Sequence, residues 1–512
     1  MRMDTQKYYV TTPIYYVNDV PHIGHAYTTI AADVLARFKR LDGYDVFFMT
    51  GTDEHGQKVE KAAQQAGLSP KELVDRVSQA FQNLYPILDA SPDVFVRTTE
   101  KRHIHAAQTL WKKLEEKGHI YKSVYAGWYA IRDEAFYGEK ELIDGKAPTG
   151  APVEWIEEPS YFFSLSAWQE PLLKFYQENP DFISPASRRN EVIRFVEGGL
   201  RDLSVSRSAL KWGVPVPSDE SHVMYVWLDA LTVYLTALGY PDDFSEERQK
   251  LWSESLHLVG KDILRFHAVY WPAFLLAAGL NPPKKVFAHG WWTQSGEKMS
   301  KSLGNVIDPV DLIAQYGSDQ IRYFLVREVP FGQDGDFSET AFIRRINSDL
   351  ANDFGNLSQR VLSFIQKNAE AMIPVPAIFT KEDEELLDAA RQMIDKLRKH
   401  ADEQALSRMC EVLWETVGLA NRYIDGQEPW TLKKTNPQRM KTVLYVLAEV
   451  LRYLGILSSP IIPKAAKKLL TQLNIPEDQQ TISSLEKHLL ATDSKLPIPE
   501  GLFPRVQKEI IQ

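Results

Sequence analysis

Two histidines lie three residues apart in Pro21-His22-Ile23-Gly24-His25, just after the apolar run Tyr8–Val17 and the polar turn Asn18-Asp19-Val20. A spacing of three puts both imidazoles on one side of the first turn of a helix. The N-terminus of a helix presents unpaired N–H groups and the positive end of the dipole, and so favours an anion. Gly24 leaves the backbone bare between them, so a flat ring can approach closely. The pair suits a phosphate; it also suits two local hydrogen bonds at a helix start. A second group is Asp53-Glu54-His55, in a polar loop closing the apolar segment Val46–Met49. Ligands of open parallel sheets bind beyond the carboxyl ends of the strands, so this loop is placed for function. A third is Lys298-Met299-Ser300-Lys301-Ser302, polar and doubly cationic within Thr293–Asn305. Taken alone, such a run is commonly a solvated loop.

The elements that must position these groups follow from periodicity. Residues 1–118 alternate strand-like runs with amphipathic helices, including Ser69–Asp89 and His103–Gly118, which predicts α/β architecture with a parallel sheet. From Ile120 the texture changes to strand alternation (Tyr121–Arg132), a turn-rich stretch (Gly138–Pro152) and a short helix at Glu191–Gly199, so 119–219 reads as an insertion. The sheet pattern resumes over Val223–Ala230. Leu256–Gly260 and Lys285–Trp292 read as later strands around the buried helix Lys261–Gly279, completing a second half at 220–297. Residues 298–341 hold the lysine loop and two helices, the first capped by Asp308. From 342 to 512 strand patterns vanish and long 3.6-period helices predict a separate all-α domain.

The chain has 512 residues, which predicts two to four domains, with 44% apolar and 25% charged residues. A net charge of −9 argues against an indiscriminate nucleic-acid coat, though not against a local RNA-binding face. The one cysteine, Cys410, excludes an intrachain disulfide and a multi-cysteine metal centre. No membrane span and no signal pattern are read, and a cytoplasmic location is expected.

In this order, His22-Ile23-Gly24-His25 and Lys298–Ser302 resemble the two signatures of class I aminoacyl-tRNA synthetases. Three further segments are similar to the methionyl branch of that class: Thr12-Pro13-Ile14-Tyr15-Tyr16-Val17-Asn18, Gly51-Thr52-Asp53-Glu54-His55-Gly56 and Tyr225-Val226-Trp227-Leu228-Asp229-Ala230. The resemblance covers nearly the whole chain. It implies a Rossmann-like nucleotide-binding catalytic domain with an inserted connective domain, followed by an all-α anticodon-binding domain. It implies ligation of methionine to its tRNA through a methionyl-adenylate, with ATP and Mg2+. Such activation aligns two anions and offsets their charge, without a covalent nucleophile. His22, His25, Lys298 and Lys301 are the implied catalytic groups. Asn18 and Gly24 join them around ATP. The resemblance assigns the methionine ammonium to Asp53, with Arg207 a candidate partner for the methionine carboxylate or for Asp53. It assigns the side-chain pocket to Ile14, Tyr16, Trp227, Ala230, Tyr234, Ile263 and His267. Tyr16 and His267 could hydrogen-bond weakly to sulfur.

The implied partners are L-methionine and methionine tRNA, elongator and initiator, read at the CAU anticodon by Asn356, Arg360 and Trp430. For Trp430, core packing is the competing reading. Many relatives hold zinc on cysteine-rich knuckles in the insertion. Here Ala130, Asp133, Ala147 and Gly150 fall at those positions, so a metal-free knuckle is expected, packed by Tyr125, Trp128, Tyr129, Phe136 and Tyr137. Leu231 stands where some relatives have proline. Relatives that dimerise often carry an added C-terminal domain, and a monomer is expected. Two alternatives remain: another class I ligase, for leucine, isoleucine, valine or cysteine, and a non-catalytic RNA-binding paralogue.

Overall fold

Aromatic and β-branched residues in an unbroken apolar run suit a strand buried on both faces of a parallel sheet. In the computed structural model, which describes residues 5–17, 21–133, 135–294, 296–299, 306–492 and 494–507, the first such run forms β1 (Lys7–Thr11) of a seven-stranded sheet. The others are β2 (Tyr15–Tyr16), β3 (Asp45–Asp53), β4 (Val94–Arg97), β5 (Ile183–Ser184), β6 (Ser255–Gly260) and β7 (Lys285–His289). Every pairing is parallel, in the order β4-β3-β1-β6-β7-β5, with β2 continuing past β1 along the same edge of β3. The chain winds from β1 toward β3 and β4, and from β6 the opposite way to β7. That reversal opens a crevice at the carboxyl ends of β1 and β6, where such sheets bind ligands.

Three helices shape the crevice: α1 (Ile23–Leu41), α2 (Lys101–Glu116) and α3 (Val226–Thr236). Residues 26–36 of α1 are all buried, and so is the whole of α3. The predicted strand Val223–Ala230 is therefore corrected. A strand, Asp219–Met224, ends in a small antiparallel sheet with Ser206–Arg207 and Pro215–Val216, and α3 starts at Val226. A helix buried all round shows the same continuous apolar run as a buried strand.

The insertion is a long antiparallel hairpin, Ile120–Ala130 with Glu154–Phe163. Its helix begins earlier than expected, spanning Ala186–Glu197. Within its expected span, β5 returns to the main sheet as the edge strand beside β7. The helical region contains Asn356–Asn368, α5 (Lys381–Asp402), Leu406–Gln427, Pro429–Thr435, Pro437–Ser458 and Pro463–Gln472. One apolar core runs from α1 through α4 (Ser318–Arg327) into these helices. Residue 342 thus marks a change in element type but no break in the core. Phe266–Tyr270 and Ile346–Gly355 widen into π-helix; Trp271 N–H bonds the carbonyl of Phe266. Such turns gather at functional sites. The first carries His267 and the second ends at Asn356. Among the described residues no helix is long and apolar enough to cross a membrane.

Candidate active site

Pro21 stays outside α1, and His22 is its N-cap, extended at φ −132° and ψ 175°. The two histidines cap the helix reciprocally. Nδ1 of His22 accepts the N–H of Gly24 at 3.1 Å, and Nδ1 of His25 accepts the N–H of His22 at 3.1 Å. Their rings lie 3.8 Å apart at 31°. Because Nδ1 accepts in both, each neutral ring carries its proton on Nε2. Local capping and ligand binding therefore use different nitrogens of the same rings. Burial against Tyr15 and Phe81, then the adjacent His22, holds the pKa of His25 well below the ordinary histidine value. It is a neutral donor at neutral pH. A Cβ at Gly24 would stand 2.9 Å from the His22 ring, so a side chain there would push the cap aside.

The N–H of Ile23 donates to the carbonyl of Ile307 at 3.1 Å. Upstream, Lys298 pairs with Thr293 next to the end of β7. Both ends of the lysine segment are thus anchored at the crevice, the downstream end beside His22. Lys301 and Asn18 lie outside the described residues, as does the side chain of Lys298. At the end of β7, His289 donates from Nδ1 to its neighbour's carbonyl, Gly290 (2.8 Å), so its Nε2 accepts from the Thr28 hydroxyl on α1 (2.8 Å). Sequence reasoning passes over His289; applying the strand-end rule to β7 as to β3 finds it.

A small pocket adjoins this region. Ile14, Tyr16, Asp53, Trp227, Ala230, Tyr234, Ile263 and His267 come together in its wall, completed by Pro13 and Leu231. They arrive from the turn after β1, from β2, the end of β3, α3, and the 3-10 turn (Lys261–Ile263) and π-turn after β6. Asp53, 2% exposed, supplies a carboxylate to an otherwise aromatic and aliphatic lining. Lys58 sits 4.3 Å over the Tyr16 ring. Trp227 stacks on Phe266 at 3.7 Å, and Tyr234 on His257 at 4.1 Å. His267 Nδ1 lies 2.9 Å from the Ile263 carbonyl, which can only accept, so Nε2 accepts from the Tyr234 hydroxyl at 2.7 Å. Both nitrogens of His267, expected as a weak hydrogen-bond partner for a sulfur, are engaged with Ile263 and Tyr234. Burial lowers its pKa to about 4.

Arg207 is not in the pocket wall. Its Nη1 donates to Ser204 Oγ (3.0 Å) and the Ser206 carbonyl (2.5 Å), and its guanidinium lies 5.1 Å from the Tyr225 ring and 5.3 Å from that of Tyr129. The loop after Asp53 is held at several points. Glu54 receives a bidentate bond from Arg97 (2.6 and 3.0 Å) and hydrogen bonds from Thr52 (2.8 Å) and Thr99. Its N–H reaches Thr98 Oγ1 (3.0 Å), and its carbonyl accepts from Trp212 Nε1 (2.6 Å). His55 bonds Asp229 of α3, whose carboxylate also meets His103 of α2. Sequence reasoning assigns no role to Asp229 or His103.

In the helical region Asn356 is exposed, and Arg360 bonds Asp425 at 2.6 Å with its guanidinium 5.8 Å from the Trp430 ring. Trp430 is 44% exposed, so it is not a core residue, and its indole face is accessible beside a guanidinium. In the insertion, Ala130, Ala147 and Ala151 form a small apolar cluster. Asp133 accepts from Tyr137 at 3.0 Å and from Thr149, and Arg132 reaches the Thr149 carbonyl at 2.5 Å. The side chains of Tyr125 and Phe136 lie outside the described residues.

A family model described as tRNA synthetases class I (M) matches residues 8–153 and 140–362, and one described as the anticodon binding domain of methionyl tRNA ligase matches 373–512. The chain is 54% identical over 508 residues to a methionine–tRNA ligase of Brucella suis, covering 98% of each chain. It is 53% identical over 509 residues to that of Rickettsia felis, covering 98% of this chain and 99% of the relative. Among solved structures it resembles Mycobacterium tuberculosis methionyl-tRNA synthetase in complex with methionyl-adenylate: TM-score 0.95, 50% identity, 98% of this chain and 100% of that one. The apo form of the same synthetase superposes with a TM-score of 0.89 at 46% identity, over 99% of this chain and 100% of that one.

Proposed function

The chain belongs to the methionyl branch of the class I tRNA synthetases, and from that premise we propose that it acts as an ATP-dependent methionine–tRNA ligase. The observation that carries the reading is the pocket at the switch point. It joins one buried carboxylate to an aromatic and aliphatic wall, beside a helix start with two imidazole donors. Asp53 takes the methionine ammonium, and Trp227, Ala230, Tyr234, Ile263 and His267 surround the thioether by shape and dispersion. Arg207 acts at most indirectly on the substrate carboxylate. ATP enters as its magnesium complex, with phosphates against His22, Gly24 and His25.

Activation forms a bond between a methionine carboxylate oxygen and the α-phosphorus and breaks the bond to pyrophosphate. The Nε2–H donors of His22 and His25 hold the phosphates in line, while Lys298 and Lys301 close on the departing pyrophosphate as its charge develops. The 2′-hydroxyl of the terminal adenosine of the tRNA then attacks the carbonyl carbon of the adenylate, forming the ester as the bond to the phosphate breaks and AMP leaves with the hydroxyl proton passing to solvent or phosphate. Asn356, Arg360 and Trp430 read the CAU anticodon by stacking and edge contacts. No zinc is assigned to the insertion. Its knuckle is supported by the alanine cluster and by Asp133, whose carboxylate is engaged with hydroxyls. As a translation enzyme it is assigned to the cytoplasm.

The test is ATP–pyrophosphate exchange with each of the twenty amino acids. Exchange with methionine alone is expected. Exchange with another amino acid instead would move the assignment within the class, and exchange with none would leave an RNA-binding protein.

A further inference from the structure

Asp229 is a buried carboxylate for which the chemistry above has no use. It lies on α3 between Trp227 and Ala230, yet it is absent from the pocket wall those residues share, and it is 1% exposed. Two histidines grip it from two elements. Nδ1 of His55 lies 2.7 Å from Oδ2, and Nε2 of His103 lies 2.7 Å from Oδ1. A carboxylate can only accept, so both nitrogens donate. Nδ1 of His103 also meets Thr236 Oγ1 at 2.9 Å, further along α3. Despite its burial, the histidine partners lower the pKa of Asp229 to about 2, so it is ionised at neutral pH.

A buried ion without a partner is strongly unfavourable, so the cluster is stable only when assembled as a unit. Its geometry decides what assembly does. His55 is two residues past Asp53, in the loop whose Glu54 backbone is already held by Thr98 and Trp212. Asp229 belongs to the helix that presents Trp227, Ala230 and Tyr234 to the pocket. The His55–Asp229 bond therefore spans from the carboxylate end of the pocket to its apolar wall, and His103 fixes α3 from behind through α2.

Resting on the reading that Asp53 takes the methionine ammonium, we propose that His55, Asp229 and His103 are positioning residues that set the separation between Asp53 and the α3 wall, and so tune the pocket to methionine. They touch no reacting atom. They act on substrate binding through Asp53 and α3.

The test uses which ring nitrogen each histidine employs. An asparagine amide can occupy the place of Nδ1, and a glutamine amide that of Nε2. In methionine-dependent ATP–pyrophosphate exchange, His55→Asn should keep the methionine KM within about threefold of wild type, while His55→Gln raises it about tenfold, the weight of one hydrogen bond to a charged group. His103 should show the crossed pattern, with Gln tolerated and Asn raising KM. The ATP KM should stay within about twofold in all four. A folding defect does not discriminate in this crossed way, and thermal midpoints report it separately. If wild type exchanges with methionine but Asn and Gln are equivalent at both sites, or if ATP and methionine KM rise together, the positioning role is overturned. A wild type without methionine-dependent exchange would remove the functional reading, and this inference with it.

Discussion

An imidazole serves a phosphate only if its outward nitrogen is a donor, and at His22 and His25 the helix cap decides that. Backbone N–H groups occupy both Nδ1 atoms, which leaves the proton on Nε2. His25→Ala should lower the maximal exchange rate about 10²–10³-fold, the scale for losing a preorganised donor, with methionine KM unchanged. His25→Gln, which restores an N–H near Nε2, should retain more activity than His25→Asn, whose amide sits at Nδ1. Equal losses would mean that the Nε2–H is not used, and better retention by Asn would mean that the ring serves the cap alone. Residue types and spacing place this pair together at a helix start but leave it open between a phosphate site and local hydrogen bonds; Lys298–Ser302, in the order of the family's two signatures, is what assigns it. The tautomer is not legible in sequence, since it depends on where backbone N–H groups point. The same limit explains His267, whose nitrogens are consumed by Ile263 and Tyr234, and Arg207, turned toward Ser204 and Ser206.

At the scale of elements, α1 does more than present its first turn. Toward its other end Lys39 bonds Asp402 (2.6 Å) and Asp42 bonds Arg398 (2.7 Å), both on α5, while Asp33 at its middle meets Arg322 of α4 (2.7 Å). Arg322, wholly buried, also donates to the carbonyls of Leu88, Pro460 and Ile461. One guanidinium thus seats α1 and the helical region together. Arg322→Met should lower unfolding free energy by about 3–5 kcal/mol, toward the lower figure because Arg37 and Ser91 still serve Asp33. Adding Asp33→Asn should recover part of the loss in urea unfolding. A loss under about 1 kcal/mol would mean the pair behaves as a solvated one. The long helices here are legible from the 3.6 period alone. The fully buried α3 reads as a strand because burial on all sides erases periodicity. β5 escapes notice because two residues have none, and a five-residue π-turn is too short to separate from an α-helical pattern.

At the scale of the whole molecule, the neutral histidines around the crevice make its stability depend on pH in a defined window. Burial is the leading cause that pushes His25, His257, His267 and His289 below the ordinary histidine value; for His267 the result is about 4. A group with a lowered folded pKa is protonated first in the unfolded chain. Between its folded and unfolded values the unfolded state binds the extra proton, so acidification destabilises the fold; above the unfolded value of about 6.5 the effect is absent. Each such histidine contributes up to about 1.4 kcal/mol per pH unit in that window. Carboxylates with lowered values, such as Asp33 and Asp229, add their loss only as pH falls further. Asp319, raised by burial, opposes the trend above the ordinary carboxylate value. The urea midpoint should therefore be flat from about pH 7 to 8 and fall steadily from about 6.5 toward 4. His257 gives a clean check, because it lies behind Tyr234 and bonds Thr11 through Nδ1 (2.9 Å). His257→Asn keeps a polar group at that position and removes one titrating ring, so the slope below about pH 6.5 should drop by up to about 1.4 kcal/mol per unit. An unchanged slope would place the acid sensitivity in other groups than these buried rings.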